Sequence, residues 1–151
     1  RVIEAMQHRA LADIAAEPWA AGPLGPILER HRAAIDTVRR RARVEGGVVT
    51  VDLADSAVEG GSNKFITYDL FPDARYTVTV TRDAKRSKVS VGSNPWARPA
   101  RAHDIAKLCE RYGGGGHVVV GAVSLQGDRL EEARRIAAEI AAALHAEPSG
   151  P

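Results

Sequence analysis

The chain has 151 residues, of which 44% are hydrophobic and 26% charged, with a net charge of +2; this is the composition of a folded domain with its own core and excludes a wholly disordered chain. No apolar run approaches the roughly 18 residues that a membrane-crossing helix needs, so no membrane partner is expected. The single cysteine, Cys109, excludes an internal disulfide and a cysteine-built zinc site, and with no secretory leader visible the cytoplasm is the expected compartment.

Residues 1–17 place Ile3, Met6, Ala10 and Ile14 on one helical face, and Pro18 is expected to end that helix. A loop holding Pro18, Gly22, Pro23, Gly25 and Pro26 follows, and a second helix then runs to about Val44 with Leu28, His31, Ile35, Val38 and Ala42 in one stripe. Its end, Arg39-Arg40-Arg41-Ala42-Arg43, suits a helix C-terminus, where cations complement the exposed carbonyls. Gly46-Gly47 stops the helix, and the period changes to the alternation of a strand at Val49, Val51 and Leu53. Ser62 is placed to cap a short helix holding Phe65, Ile66, Leu70 and Phe71. Pro72-Asp73 turns the chain into a strand at 76–82, with Tyr76, Val78 and Val80 on one side and Thr77, Thr79 and Thr81 on the other. A turn at 83–86 and a third strand marked by Val89 and Val91 make residues 76–92 an antiparallel hairpin with one apolar face.

Residues 102–112 carry Ile105, Leu108, Cys109 and Tyr112 at helical spacing, with Cys109 as a small core residue. Gly113 to Gly116 ends this helix, and residues 118–125 form a buried strand. Asp128 and Glu131 make a capping box for a last helix that aligns Leu130, Ala133, Ala137, Ile140 and Leu144, and residues 148–151 are expected to fray. The fold class that follows is α/β, a mixed β-sheet with flanking helices, preceded by a helical segment.

Charge is uneven along the chain. Residues 75–112 hold nine Lys or Arg against Asp83, Asp104 and Glu110, whereas residues 46–74 and 128–151 are net acidic, so a polyanion is the partner class that the sequence favours. The most informative segment is Gly113-Gly114-Gly115-Gly116-His117. One or two glycines end a helix; four in a row ask for a bare backbone, whose N–H groups can turn toward an anion while an imidazole adds a directed hydrogen bond. A phosphate fits that description, and a flexible connector is the alternative. On the phosphate reading, a β-branched residue at Gly115 would bar the close approach and a positive φ. Trp96, in the loop Asn94-Pro95-Trp96, can stack on a base or plug the loop onto the core.

The glycine run with His117, preceded by a helix ending in Tyr112 and followed by Val118-Val119-Val120-Gly121-Ala122, resembles the signature of the DHH-associated domain. That domain is the C-terminal half of DHH-family phosphoesterases, which include oligoribonucleases and exopolyphosphatase-like proteins. The likeness covers roughly residues 46–145 and extends to Lys88-Val89-Ser90-Val91-Gly92-Ser93, where the family's strand ends in Arg-Ser. Here that pair is Gly92-Ser93, so a phosphate-contacting arginine is lost or supplied from nearby, with Arg82, Arg86, Arg98 and Arg101 as candidates.

The resemblance implies a division into a helical lead-in at 1–45 from an N-terminal DHH catalytic domain, a substrate-binding domain at 46–147, and a tail at 148–151. It implies Gly113, Gly114, Gly115, Gly116, His117, Ser93, Arg101, Arg98 and Trp96 as substrate-binding residues. The ligand class implied is phosphate-bearing: short RNA, a nucleotide or polyphosphate. Manganese or magnesium is expected in the DHH domain, not in this chain, because no Asp-His-His occurs and His103-Asp104 has no accompanying carboxylate-histidine cluster. His8, His31 and His145 stand alone on helices and are read as packing or surface residues. The chain alone is therefore expected to be inactive. Two other functions stay open: a non-catalytic RNA-binding module, such as the related domain of alanyl-tRNA synthetases, and a structural domain that forms a homodimer and has lost its ligand.

Overall fold

Alternation along the central strands sets the architecture. In the computed structural model, which describes residues 2–56, 63–98 and 101–146, β1 (Ala42–Glu45), β2 (Val48–Asp52), β3 (Tyr76–Arg82), β4 (Arg86–Ser93), β5 (Gly115–His117) and β6 (Val120–Gln126) form one six-stranded sheet. Its order is β1-β2-β3-β4-β6-β5, with β2 and β3 parallel and every other pair antiparallel. The mixed sheet and flanking helices are those expected, with α1 (Val2–Met6), α2 (Leu11–Ala16) and α3 (Pro18–Arg41) leading in.

One face of the sheet is sealed. Tyr76, Val78, Val80, Val89, Val91, Val123 and Leu125 pack against α5 (Ile105–Glu110) and α6 (Leu130–His145), whose Ile105, Leu108, Cys109, Ile136, Ile140 and Leu144 are all buried. Each such aliphatic side chain contributes about 1.5 to 3 kcal/mol of burial. Cys109 is a core residue as expected, and burial pushes its thiol above the usual range. The opposite face is covered over β2, where Val49, Val51 and Leu53 meet Ala34 and Val38 of α3 and Ile66 of α4 (Ile66–Leu70), and at the Thr77 end of β3, where Tyr68 of α4 lies. β2 is thus buried on both faces, as the parallel position in a mixed sheet demands.

The β3–β4 hairpin has the expected register, Arg82 opposite Ser87 and Tyr76 opposite Ser93. Its turn is closed by Asp83, whose Oδ1 accepts from the N–H groups of Lys85 at 2.8 Å and Arg86 at 3.0 Å.

Several local expectations are corrected. Pro18 begins α3 at a position where its missing N–H costs nothing, and the proposed loop at 18–26 is helical, with Pro23 and Pro26 inside on its exposed half. Residues 2–17 form two short helices joined by a turn, and the helix expected to reach about Val44 stops at Arg41, where β1 follows. The helix expected at 102–112 is shorter because Asp104 is its N-cap, accepting from the Lys107 N–H at 3.2 Å. The strand expected from Val118 starts at Val120, and its Val120, Ser124 and Gln126 are exposed, because only one side of β6 meets the core. α6 has no capping box: Arg129 is the N-cap and its side chain turns to Glu132 instead of capping the backbone, while Asp128 accepts from Arg82 at 3.5 Å. Ser62 and residues 148–151 lie outside the described residues.

Candidate functional site

Because α3 and α4 cover the β2 side and reach β3 and β4 only through Tyr68, much of that sheet face is open, and a cavity of about 710 Å³ lies over it. Its floor is the face of the hairpin turned away from the core: Thr77, Thr79 and Thr81 from β3, and Lys88, Ser90 and Gly92 from β4. Lys64, Phe65, Thr67 and Tyr68 wall one side, and Ser93, Asn94, Arg101, Val119 and Val120 close one end. Five cations, Lys64, Arg82, Arg86, Lys88 and Arg101, border it against the single acid Asp83. Arg82 is paired with Asp55 at 3.2 Å, and Arg86 faces Asp83 at 3.4 Å. Among the described residues, no acid pairs with Lys64, Lys88 or Arg101.

The expected site residues are brought together only in part. Ser93 and Arg101 line the cavity. Ser93 donates its backbone N–H at 2.9 Å and its hydroxyl at 3.1 Å to the Val119 carbonyl, which ties β4 to the β5–β6 turn and leaves the hydroxyl lone pairs for a ligand donor. Arg101 spends one N–H on the His103 carbonyl at 3.1 Å, and its other donors remain for an anion.

His117 is exposed at the end of β5. It is opposite Val120, which is opposite Gly92, so the three form a row across β5, β6 and β4. Directly opposed residues share a face, and Gly92 and Val120 line the cavity. His117 therefore stands on the open face, about 10 Å from Gly92 at the usual strand spacing. Arg98 is exposed and is not part of the cavity wall, and Trp96 is exposed beside an adjoining recess.

The glycine run has a structural explanation that the sequence did not offer. Gly113, with φ of 73°, stops α5 in the left-handed region. A Cβ at Gly114 would collide with the Ala122 carbonyl oxygen, and one at Gly116 with that of Val120, so two of the four glycines serve the tight pairing of β5 on β6. Gly115 has neither a positive φ nor an atom near the place of a Cβ; the close approach expected there belongs to its neighbours. None of the four lines the cavity.

Gly92 is likewise fixed by packing. A Cβ there would lie 2.5 Å from the Tyr68 hydroxyl, which is itself hydrogen-bonded to Thr77 Oγ1 at 3.2 Å. Tyr68 is buried, and burial pushes its phenol above the usual range. The Arg-Ser pair of the family thus has no room for its arginine beside Tyr68. Lys88, half-buried on the cavity floor, is the cation that sequence reasoning missed. The signal was present in the alternation of Lys88 and Ser90 with the core residues Val89 and Val91.

Among the described residues, acidic side chains gather around one arginine. Those that stand together, Asp52, Asp55 and Glu131, are all held by Arg134 at 2.6 to 2.7 Å. Among the described residues no group of three or more His, Cys, Asp or Glu is placed to hold a metal ion. Among the same residues no helix is long and apolar enough to cross a membrane.

No protein-family model matches the chain, and no curated protein sequence matches it significantly. Solved structures do. A pGpG-specific phosphodiesterase, PggH, from Vibrio cholerae superimposes with a TM-score of 0.79 at 19% identity, over 93% of this chain and 49% of that one. An exopolyphosphatase-related protein from Bacteroides fragilis gives 0.60 at 16% identity, over 78% of this chain and 35% of that one. A DHH domain described as belonging to a family of ribosomal proteins gives 0.52 at 15% identity, over 81% and 32%. The chain thus spans about half or less of the length of these structures. At the level of the fold, they bear out the resemblance to the DHH-associated domain.

Proposed function

We propose that this chain is the substrate-binding part of a DHH-type phosphoesterase, and that it holds a phosphate-bearing ligand over the open half of its sheet. One observation carries the reading: the cavity on that face is bordered by five cations and one acid and floored by hydroxyls. Lys88 and Lys64 supply compact charge, Arg101 a fork that matches two phosphate oxygens, and Thr79 and Ser90 short-range hydrogen bonds. His117, in the row that runs through Val120 to Gly92, is within reach of a ligand that extends past the cavity's end. The glycines enter indirectly, by letting β5 lie close enough to β6 to carry His117 on this face.

Phosphoester hydrolysis of this type uses two divalent ions that activate water and stabilise the leaving oxygen. Those ions, manganese or magnesium, belong in this proposal to a DHH domain that meets the open face, and the present residues bind and orient the ligand. No hydrolytic step is assigned to them. The phosphodiesterase named above acts on pGpG, which makes short nucleotides the first ligands to try here.

The test is a calorimetric titration of the chain with a nucleoside monophosphate at several salt concentrations. Affinity should fall as salt rises, and Lys88→Ala or Arg101→Ala should each weaken binding about tenfold, the size of one charge-assisted hydrogen bond. Salt-independent binding, or unchanged binding by both variants, would contradict the proposal.

A further inference from the structure

Two aromatic side chains beside the cavity stand in water where the core has no use for them. Trp96 is 68% exposed and Phe65 42% exposed, and their rings meet edge to face with centroids 5.8 Å apart. They come from separate segments, yet one device presents both. Asn63 Oδ1 accepts from the Phe65 N–H, and Asn94 Oδ1 accepts from the Trp96 N–H, each at 3.0 Å. Asn94 is only 7% exposed, and its amide donates to the carbonyls of Pro72 at 3.1 Å and Ala74 at 2.9 Å. The loop that bears Trp96 is therefore anchored to the turn leading into β3. A tryptophan that only plugged its loop would turn inward and bury its ring; this one is exposed on a fixed stretch of backbone.

The rings are continuous with the phosphate site. Phe65, Tyr68, Asn63 and Asn94 border both the cavity and the adjoining recess, whose lining also includes His31, Asp69 and Trp96. Lys64 Nζ lies 5.3 Å from the Phe65 ring centroid, at the junction of the apolar wall and the cationic cavity. A ligand with its phosphate near Lys64 would reach the rings without crossing any element of the fold.

We propose that Phe65 and Trp96 form the wall against which a nucleobase packs, so that the site selects nucleotides over phosphoesters that lack a base. The inference rests on the phosphate reading above. A base offers a flat π-face to the rings, while its polar edge turns to Asn63, Asp69 and His31; a polyphosphate or a sugar phosphate offers neither.

The test titrates the whole chain with ribose 5-phosphate and with the corresponding nucleoside monophosphate at one salt concentration. The nucleotide should bind at least about tenfold more tightly. Trp96→Ala should bring it to within about twofold of ribose 5-phosphate while leaving the affinity for ribose 5-phosphate unchanged, and Phe65→Leu should remove a smaller part of the preference. Circular dichroism checks that both variants fold, which the exposure of the two rings leads one to expect. Equal binding of the two ligands by the parent chain, or a preference that survives Trp96→Ala, overturns the base wall and leaves the phosphate site standing. Binding of neither ligand, or ribose 5-phosphate binding indifferent to both Lys88→Ala and Arg101→Ala, overturns the phosphate reading and this inference with it.

Discussion

The two faces of the sheet are made from the same strands and do opposite things. On β3, Tyr76, Val78 and Val80 enter the core between the sheet and α6, while Thr77, Thr79 and Thr81 line the cavity on the other side. β4 divides in the same way, Val89 and Val91 inward and Lys88 and Ser90 outward. The sealed face holds the domain together, which frees the open face to carry the hydroxyls and cations to which the proposed function assigns the ligand. A sheet that is half covered on one side thus supplies a rigid floor, to which loop residues such as Lys64 and Arg101 add charge at the rim.

The sharpest way to break this comparison is to truncate one residue on each face. Ile140→Ala, in the fully buried stripe of α6, should destabilise the domain by about 2 to 5 kcal/mol in urea unfolding. Thr79→Ala, on the cavity floor, should cost less than about 1 kcal/mol. Comparable losses would mean that the open face is structural too.

The glycine run gives a second, smaller contrast. Gly114→Ala has to displace the Ala122 carbonyl, and the strain should cost about 1 to 3 kcal/mol in thermal unfolding and free the amides of β5 to exchange. Gly115→Ala meets no atom and should lie within about 0.5 kcal/mol of the parent. Equal effects would show that β5 is not paired on β6 as described.

The smallest effect is a pH dependence at the hairpin turn. Asp83 is held below the ordinary carboxylate range, first by the N–H of Lys85 and further by Arg86. A carboxyl lowered in the folded state stabilises it at neutral pH, and that contribution disappears as pH falls through the carboxylate range. Asp83→Asn should therefore flatten the acid limb of a stability profile taken from pH 6 to pH 3, while leaving the shape above pH 6 unchanged. An acid limb identical to the parent's would remove Asp83 from the account.

Much of the sealed face is legible in the sequence, because it is written in local periodicity. The period-two pattern of residues 76–82 and the helical spacing of Ile105, Leu108 and Cys109 each name their own buried side. The open face is not legible, since what leaves it open is how little of it α3 and α4 cover, a tertiary fact. Pro23 and Pro26 suggest a loop because their missing N–H groups penalise a helix, yet the half of α3 that holds them is exposed, where water can take the freed carbonyls. Gly114 and Gly116 suggest backbone freedom, but their use is the nearness of carbonyls on β6, a contact between strands that spacing along the chain does not encode. Resemblance is enough to point to Ser93 and Arg101, whereas Lys88 requires knowing which side of β4 faces the core.

The central claim is that the open face, and not the sealed one, receives a phosphate-bearing ligand. Amide chemical-shift mapping of the isotopically labelled chain, titrated with a nucleoside monophosphate, tests it most directly. Saturable shifts are expected at Lys88, Ser90, Ser93, Arg101 and Val119, which border the cavity, with Ile136 and Ile140 in the opposite layer unmoved. Shifts centred on α6, or none anywhere at millimolar ligand and low salt, would contradict it.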